Sequence, residues 1–456
     1  IILGTNSIKD TGFDVANSCR FNSGSSDYLN NTSVASVTNR LKFTISLWVK
    51  RSTLGAKSMI GTVGGDSSNF GAIWFDSSDR LNCTEGSGGG TLNFITNRVF
   101  RDVSAWYNII LAIDTTQGTE SNRVKIYVGG VQETSFSTST YPSQNSNMHL
   151  NRGGKTQYIG RHTDSSNNYY FDGYMTEVVW VDGQQLSNTD LGEFDSDSGI
   201  WKPIDVSGLT FGNNGFYLDF EDSSALGNDA NGSNNFTVNN LTAIDQSIST
   251  CTNIFCTWNP IANYTNSVAF SEGNLVAMSG TNDQWDSGRA TMGFAKGKWY
   301  FECLFVAGVS TQYIGVVDES CKMNVANAHN ENGTTIYYNN SGGEIRKDGS
   351  FTSADYGTFS SSEVAGIAID ADNFTISVYK GGSLIVDAYA LSTTRTGFLF
   401  PFTTNLNDGD GVKVNFGSPH YAESGGNTDA NGYGNFNQSV PSGYFAINTK
   451  NLAEYG

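Results

Sequence analysis

The sequence is poor in proline, cysteine and histidine, with 6, 6 and 4 in 456 residues. Scarce proline leaves the turns to Gly, Asn, Asp and Ser chemistry, and 52 glycines are present to serve it. The cysteines, Cys19, Cys83, Cys251, Cys256, Cys303 and Cys321, form no CxxC pair and no Cys/His cluster with zinc spacing. They are expected as reduced structural thiols, with Cys251 and Cys256 the one close pair for which a disulfide stays open. Positive charge is also scarce: 26 Lys and Arg face 44 Asp and Glu, a net charge of −18. Such a surface repels phosphate backbones, so nucleic acid is not an expected partner. No apolar run approaches the ~18–20 residues of a membrane span, so no membrane insertion is expected. The opening Ile1-Ile2-Leu3-Gly4 lacks the basic region and long apolar stretch of a secretion signal, and without an initiator Met further residues are expected upstream.

What the chain has is apolar and aromatic bulk, at 38% and 12%, enough for packed cores. Period-two alternation recurs at 43–49 (FTISLWV), Val124–Val128 (VKIYV), 173–181 (GYMTEVVWV) and 374–379 (FTISVY). Each run is short, rich in β-branched and aromatic residues, and bounded by turn formers. The best helical stretch is 187–194, with Ser187 as N-cap and Asp190 three residues on. The fold class expected is all-β, two antiparallel β-sandwich (jelly-roll) domains in tandem. One domain covers 1–203, and a polar, Asn-rich bridge over 204–250 holds one strand at 216–220. The second domain covers 251–418, followed by a C-terminal interface tail, 419–456.

Reaction chemistry is hard to find. No E-x-D-x-x-E strand offers the paired carboxylates of a glycosidase, and Glu193, Asp195 and Asp197 read as a solvated turn. There is no G-x-S-x-G elbow and no HExxH, and His162 reads as a rim or loop residue. Gly86–Gly90 (GSGGG) lacks the Gly-Lys-Ser/Thr finish of a phosphate loop. One internal echo stands out: 228–236 (NDANGSNNF) resembles 428–436 (TDANGYGNF). Asn-Gly suits a tight turn. The alternating oxygens of Asp229, Asn231 and Ser233 also suit a Ca²⁺ loop, though no bidentate Glu follows at the EF-hand position.

Three stretches resemble laminin-G-like, concanavalin-type jelly rolls over roughly 13–200: Phe43-Thr-Ile-Ser-Leu-Trp-Val49; Trp106-Tyr-Asn-Ile-Ile-Leu-Ala112 with Arg123-Val-Lys-Ile-Tyr-Val-Gly129; and Tyr158-Ile-Gly160 followed by Phe171-Asp-Gly-Tyr-Met-Thr-Glu-Val-Val179 and Leu186-Ser187. The later block resembles the SPRY domain through Gly297-Lys-Trp-Tyr-Phe-Glu302, Tyr313-Ile-Gly-Val316, Val364-Ala-Gly-Ile-Ala-Ile-Asp370, Thr375-Ile-Ser-Val-Tyr-Lys380, Phe400-Pro-Phe402 and Val412-Lys-Val-Asn-Phe-Gly417. Gly381-Gly382 replaces that family's usual Asn-Gly turn. The order of the two, with 214–220, 228–239 and 441–449, is similar to structural proteins of marine bacteriophages, such as tail fibres and spikes.

The resemblance implies a non-enzymatic virion structural or adhesion protein on the particle exterior, binding host-surface carbohydrate or neighbouring virion subunits, and itself a homo-oligomer. Aromatic loop residues would stack on sugar faces, with Trp74, Tyr169, Tyr170 and Trp285 as candidates. Two alternatives are a capsid or fibre component with no ligand and a polysaccharide-degrading enzyme. A eukaryotic cell-surface domain would carry glycans on sequons such as Asn235-Phe-Thr and Asn240-Leu-Thr. The tail, apolar at Tyr444, Phe445, Ile447 and Leu452, is expected to pack on a neighbouring subunit or the first domain.

Overall fold

The structure is a computed structural model. It describes the chain except residues 1–11, 34, 63–69, 87–90, 164–167, 264–267, 281–284, 307–311, 326, 332, 339–342, 353, 393–396 and 423–424. Two compact units divide at Thr252/Asn253.

In the first unit two eight-stranded antiparallel sheets enclose one core. One sheet centres on Lys42–Arg51, flanked by Trp106–Asp114 and Gly173–Asp182. The other runs in space as Phe136–Thr140, Leu92–Val99, Arg80–Glu85, Gly71–Phe75, Lys57–Thr62, Thr156–Ile159, Tyr28–Thr32 and Thr237–Asn239. Alternation sets the faces: Phe43, Ile45, Leu47 and Val49 enter the core, while Thr44, Ser46, Trp48 and Lys50 point away. The outward side is covered too, because Val206, Phe211 and Tyr217 join Ile110, Val179 and Val181 in a second apolar layer.

Residues 204–250, expected to bridge two domains, therefore belong to the first unit. Phe216–Leu218 pairs with Gly173–Asp182, Thr237–Asn239 with Tyr28–Thr32, and Gln246–Ser247 with Ser18–Phe21. Phe216, Leu218, Phe220, Leu226, Phe236 and Leu241 enter its main core. The segment's many Asn residues bond backbone and neighbouring amides: Asn234 Nδ2 donates to Gly215 O at 2.7 Å and Asn214 Nδ2 to Asn151 Oδ1 at 2.9 Å. Around 187–194 the chain makes one 3₁₀ turn, Asn188–Asp190, not a helix. Ser187 N and Oγ both donate to Asp190 Oδ2 at 2.8 Å, but the strand Glu193–Phe194 begins before another turn forms.

The second unit is also a sandwich, of a seven- and an eight-stranded sheet. Trp299, Phe301, Cys303 and Phe305 line its core from Lys298–Phe305. Tyr300 and Glu302 occupy the other face of that strand, and residues 419–456 cover it. Phe445–Ala446 pairs in parallel with Lys298–Phe305, and Ile447 and Leu452 complete the core. Phe436 packs edge-on to Tyr300 at 5.2 Å. Buried Glu302 accepts from Asn437 N at 2.9 Å and Gln438 N at 2.8 Å. Asn448 caps Thr449–Tyr455, the one α-helix among the described residues. The tail is thus a layer of its own unit. Its apolar residues are spaced to close a sheet face, which a strand-only reading ending at Gly417 does not see. None of the six cysteines is in a disulfide, Cys251 and Cys256 included.

Two outcomes follow. Deleting 419–456 removes buried Phe436, Ile447 and Leu452, each worth roughly 2–5 kcal/mol. It also leaves Glu302 without its amide donors. Calorimetry is expected to lose the melting transition of the second unit and keep that of the first; two intact transitions would sink the assignment.

The second outcome concerns pH. Burial pushes the Glu177 carboxyl up to about 8, with Asp219 and Glu221 adding to the rise and Tyr217 opposing it. Burial likewise pushes Glu85 up to about 7, against the His149 and Leu150 amides. A carboxyl raised by folding stabilises while protonated. Its contribution is full below the ordinary value of 4.5 and is lost as pH rises through about 7 and 8. Denaturant titrations across that window should show the first unit losing stability. Glu177→Gln should flatten the fall by on the order of 1–2 kcal/mol.

Candidate functional site

The outer face of the first unit's second sheet carries the most chemically suggestive cluster. Strand register aligns Gly61, Tyr158, Asn30 and Thr237 in one row across four strands. Their chain neighbours Ile60, Ile159 and Leu29 face the core, so this row faces outward. Tyr28 lies on the same face beside Asn239, whose Nδ2 donates to Asn30 Oδ1 at 2.6 Å.

A short hairpin, Arg161–Thr163 with Asn168–Tyr170, packs over this row. Two glycines permit it. Gly160 turns the chain out of Thr156–Ile159 at φ +80°, and a Cβ there would meet Phe21 at 2.6 Å. At Gly61 a Cβ would lie 3.0 Å from Arg161 O and 3.1 Å from His162 Nδ1. The hairpin's first residue, Arg161, then lies against three tyrosine rings, 4.6 Å from Tyr28, 5.1 Å from Tyr158 and 5.6 Å from Tyr170. Tyr28 is 5.9 Å from Tyr158 and 6.1 Å from Tyr170, centroid to centroid. Arg161 Nη2 donates to Asn168 Oδ1 at 2.7 Å. Next to it His162 stacks on Tyr169 at 6.2 Å and 17°, and meets Phe70 at 5.5 Å. Tyr169 stays 38% exposed. The cluster offers aromatic faces, amides and one fixed cation, the groups that hold a polar ring with apolar C–H faces.

The residues singled out in the sequence separate. Tyr169 and Tyr170 meet in this cluster. Trp74 is half-buried on Gly71–Phe75, on the same face as Ala72, which pairs with Gly61. Trp285 lies in the second unit and is a packing residue there. It stacks on Tyr313 at 5.0 Å and 6°, and lies 4.1 Å from His329. The surrounding layer of Val317, Met323 and Phe402 explains the His329 imidazole, which burial and the Arg346 charge hold down to about 3. Tyr28, Asn30, Tyr158, Arg161 and Asn239 were not picked out. Tyr158 and Arg161 flank the Ile-Gly motif, which was read for fold alone.

The Asp229 loop is a clamp. Asp229 Oδ1 accepts from Tyr217 N at 3.0 Å and Asn231 N at 3.3 Å, and Oδ2 from Asn234 N at 3.0 Å. Asn231 Nδ2 donates to Ser207 O, and Ser233 is exposed. Three N–H donors thus hold the Asp229 carboxylate, so the turn expected to bind Ca²⁺ through Asp229, Asn231 and Ser233 is closed by hydrogen bonds of its own. Its echo does the same work: Asp429 accepts from Asn431 N, Tyr433 N, Ala446 N and Asn451 Nδ2. Among the described residues no group of three or more His, Cys, Asp or Glu could hold a metal. Asp195 accepts from Ser198 N and Oγ and lies 3.5 Å from Lys202 Nζ, as a solvated turn would.

The second unit has an open pocket of about 560 Å³ lined by Glu363, Lys380, Ile385 and Gln438 among others. Its charges satisfy each other, Lys380 Nζ lying 3.0 Å from Glu363 and 2.6 Å from Thr358 O.

Asp229→Ala should destabilise the first unit by roughly 1–3 kcal/mol, through amides left without acceptors. Added Ca²⁺ or chelator should leave the wild-type melting temperature unchanged. A calcium-dependent rise would restore the metal reading.

Residues 23–190 match the laminin G family model described as the concanavalin A-like lectin/glucanases superfamily. No curated protein matches the sequence. Solved structures with similarity include the SPRY domain of human HERC1, at 18% identity and TM-score 0.29, covering 34% of this chain and 96% of that one. A putative carbohydrate binding protein from Bacteroides ovatus shows 16% identity and TM-score 0.34, covering 50% of this chain and 59% of that one. The SAP-like pentraxin from Limulus polyphemus shows 11% and 0.31, covering 50% of this chain and 94% of that one. The chain is thus similar to concanavalin A-like laminin G domains over 23–190, and its second unit is an antiparallel sandwich carrying SPRY-like motifs.

Proposed function

We propose that this chain is a non-enzymatic adhesion protein that binds surface carbohydrate on the outer sheet face around Arg161. The observation that carries this reading is the Arg161 guanidinium held 4.6–5.6 Å from the rings of Tyr28, Tyr158 and Tyr170, beside Asn30 and Asn239. Rigid aromatic faces bury the C–H surface of a sugar at low entropy cost, and amides and phenols meet its hydroxyls. The matched superfamily, whose description names lectins, supports the reading. That description also names glucanases, but hydrolysis needs a carboxylic acid beside the scissile bond, and among the described residues the ring cluster supplies Tyr, Arg, Asn and His. The motif order similar to marine bacteriophage proteins supports a place on a virion exterior, among other virion subunits and as a homo-oligomer.

Glycan-array binding followed by titration calorimetry tests it. Tyr28→Ala and Tyr170→Ala should each weaken the bound glycan by roughly tenfold or more, about the worth of one aromatic contact. Circular dichroism should show the fold kept. Undiminished binding by both variants would move the sugar away from this cluster, and no glycan bound at all would favour a purely structural component.

A further inference from the structure

We infer that the ring cluster selects an acidic saccharide, one whose oxyanion pairs with Arg161. This deepens the carbohydrate reading and rests on it.

Charge supplies the first argument. In a chain of net charge −18, some arginines find carboxylates, while others such as Arg40 and Arg123 donate to backbone carbonyls. Arg20 pairs with Asp245, Arg51 and Arg101 with Asp79, Arg80 with Asp76, and Arg98 with Glu133. Arg161 pairs with no carboxylate among the described residues. Its one side-chain acceptor there is the neutral Asn168 Oδ1, and its buried Nε has none. A guanidinium carries five N–H donors, so hydrogen-bonding capacity stays unused.

Fixed position supplies the second. Three rings and the Asn168 bond hold the guanidinium on the sheet, so little freedom remains to lose when an anion binds. Tyrosine faces also weaken the competition of water for the cation without neutralising it, which favours a charge-assisted contact over a neutral hydroxyl. A uronate carboxylate and a sulfate ester are the sugar-borne oxyanions of this kind. Planar carboxylate matches the guanidinium fork best.

The test is calorimetric titration of the full chain with a short polyuronate oligomer, its carboxyl-reduced counterpart, and a sulfated neutral oligomer. Wild type is expected to prefer the polyuronate over the reduced form by roughly tenfold at low salt, with the preference shrinking as salt rises. Arg161→Gln should lose the preference, its affinity for the polyuronate falling by more than its affinity for the reduced oligomer, and Arg161→Lys should keep part of it. A preference for the sulfated oligomer alone supports the inference with sulfate as the oxyanion. Equal wild-type affinity for the acidic and reduced oligomers overturns it and leaves the carbohydrate reading standing. An Arg161→Gln chain that keeps the preference overturns it as well. Failure to bind any of the three overturns both.

Discussion

Carboxylates that accept backbone N–H bonds hold this protein's less regular segments on its sheets. A sandwich protects only the inner face of each sheet, and the covering segments here are too polar to adhere by area alone. Each is fixed by a buried or nearly buried acid. Asp182 accepts from Thr38 N at 2.5 Å, Asn39 N at 3.1 Å and Asn214 N at 3.1 Å. Glu85 takes His149 N and Leu150 N, Glu302 takes Asn437 N and Gln438 N, and Asp229 takes Tyr217 N. An amide that would otherwise be buried without an acceptor gains one, and the acid gains the donors that burial demands.

This device explains which parts of the fold were legible. The strands at 43–49, Val124–Val128 and 173–181 were, because alternation and β-branching report directly on a sheet. Residues 204–250 and 419–456 were not, because their composition is that of linkers. Phe236 and Phe436 are buried, yet each follows a run of Asn and Gly with no period to mark it. What made these segments readable in retrospect is the repeated Asp-Ala-Asn-Gly followed by Phe. The aromatic fills the core while the Asp closes the turn.

The two copies of that clamp also show that the interaction, not the chain order, is what the fold requires. In the first unit the pinned strand, Phe216–Leu218, precedes Asp229. In the second unit Phe445–Ala446 follows Asp429. One strand pairs antiparallel with its neighbour and the other parallel. A side-chain acceptor aimed at one amide places no demand on strand direction, so the same four residues serve both.

The candidate site was legible only in part, for a related reason. Tyr169 and Tyr170 drew notice as adjacent aromatics in a polar loop, and Trp285 for the same reason, although it packs on Tyr313. Local sequence cannot separate the two cases, because what decides is whether a second layer covers the sheet face. Over Trp285 residues such as Met323 and Ala328 supply that layer. Around Arg161 the hairpin that approaches is only three residues per strand, and it brings a cation and two tyrosines of its own. Gly61 lets it approach closely, and Gly160 gives the turn that directs it there. A side chain at Gly61 would push on the hairpin at Arg161 and His162, and one at Gly160 would strain the turn and meet Phe21, so in either case Arg161 would shift from the rings that fix it. The site is therefore set by two absent side chains as much as by the ones that would touch a ligand, and a search for reactive or aromatic residues alone passes over both.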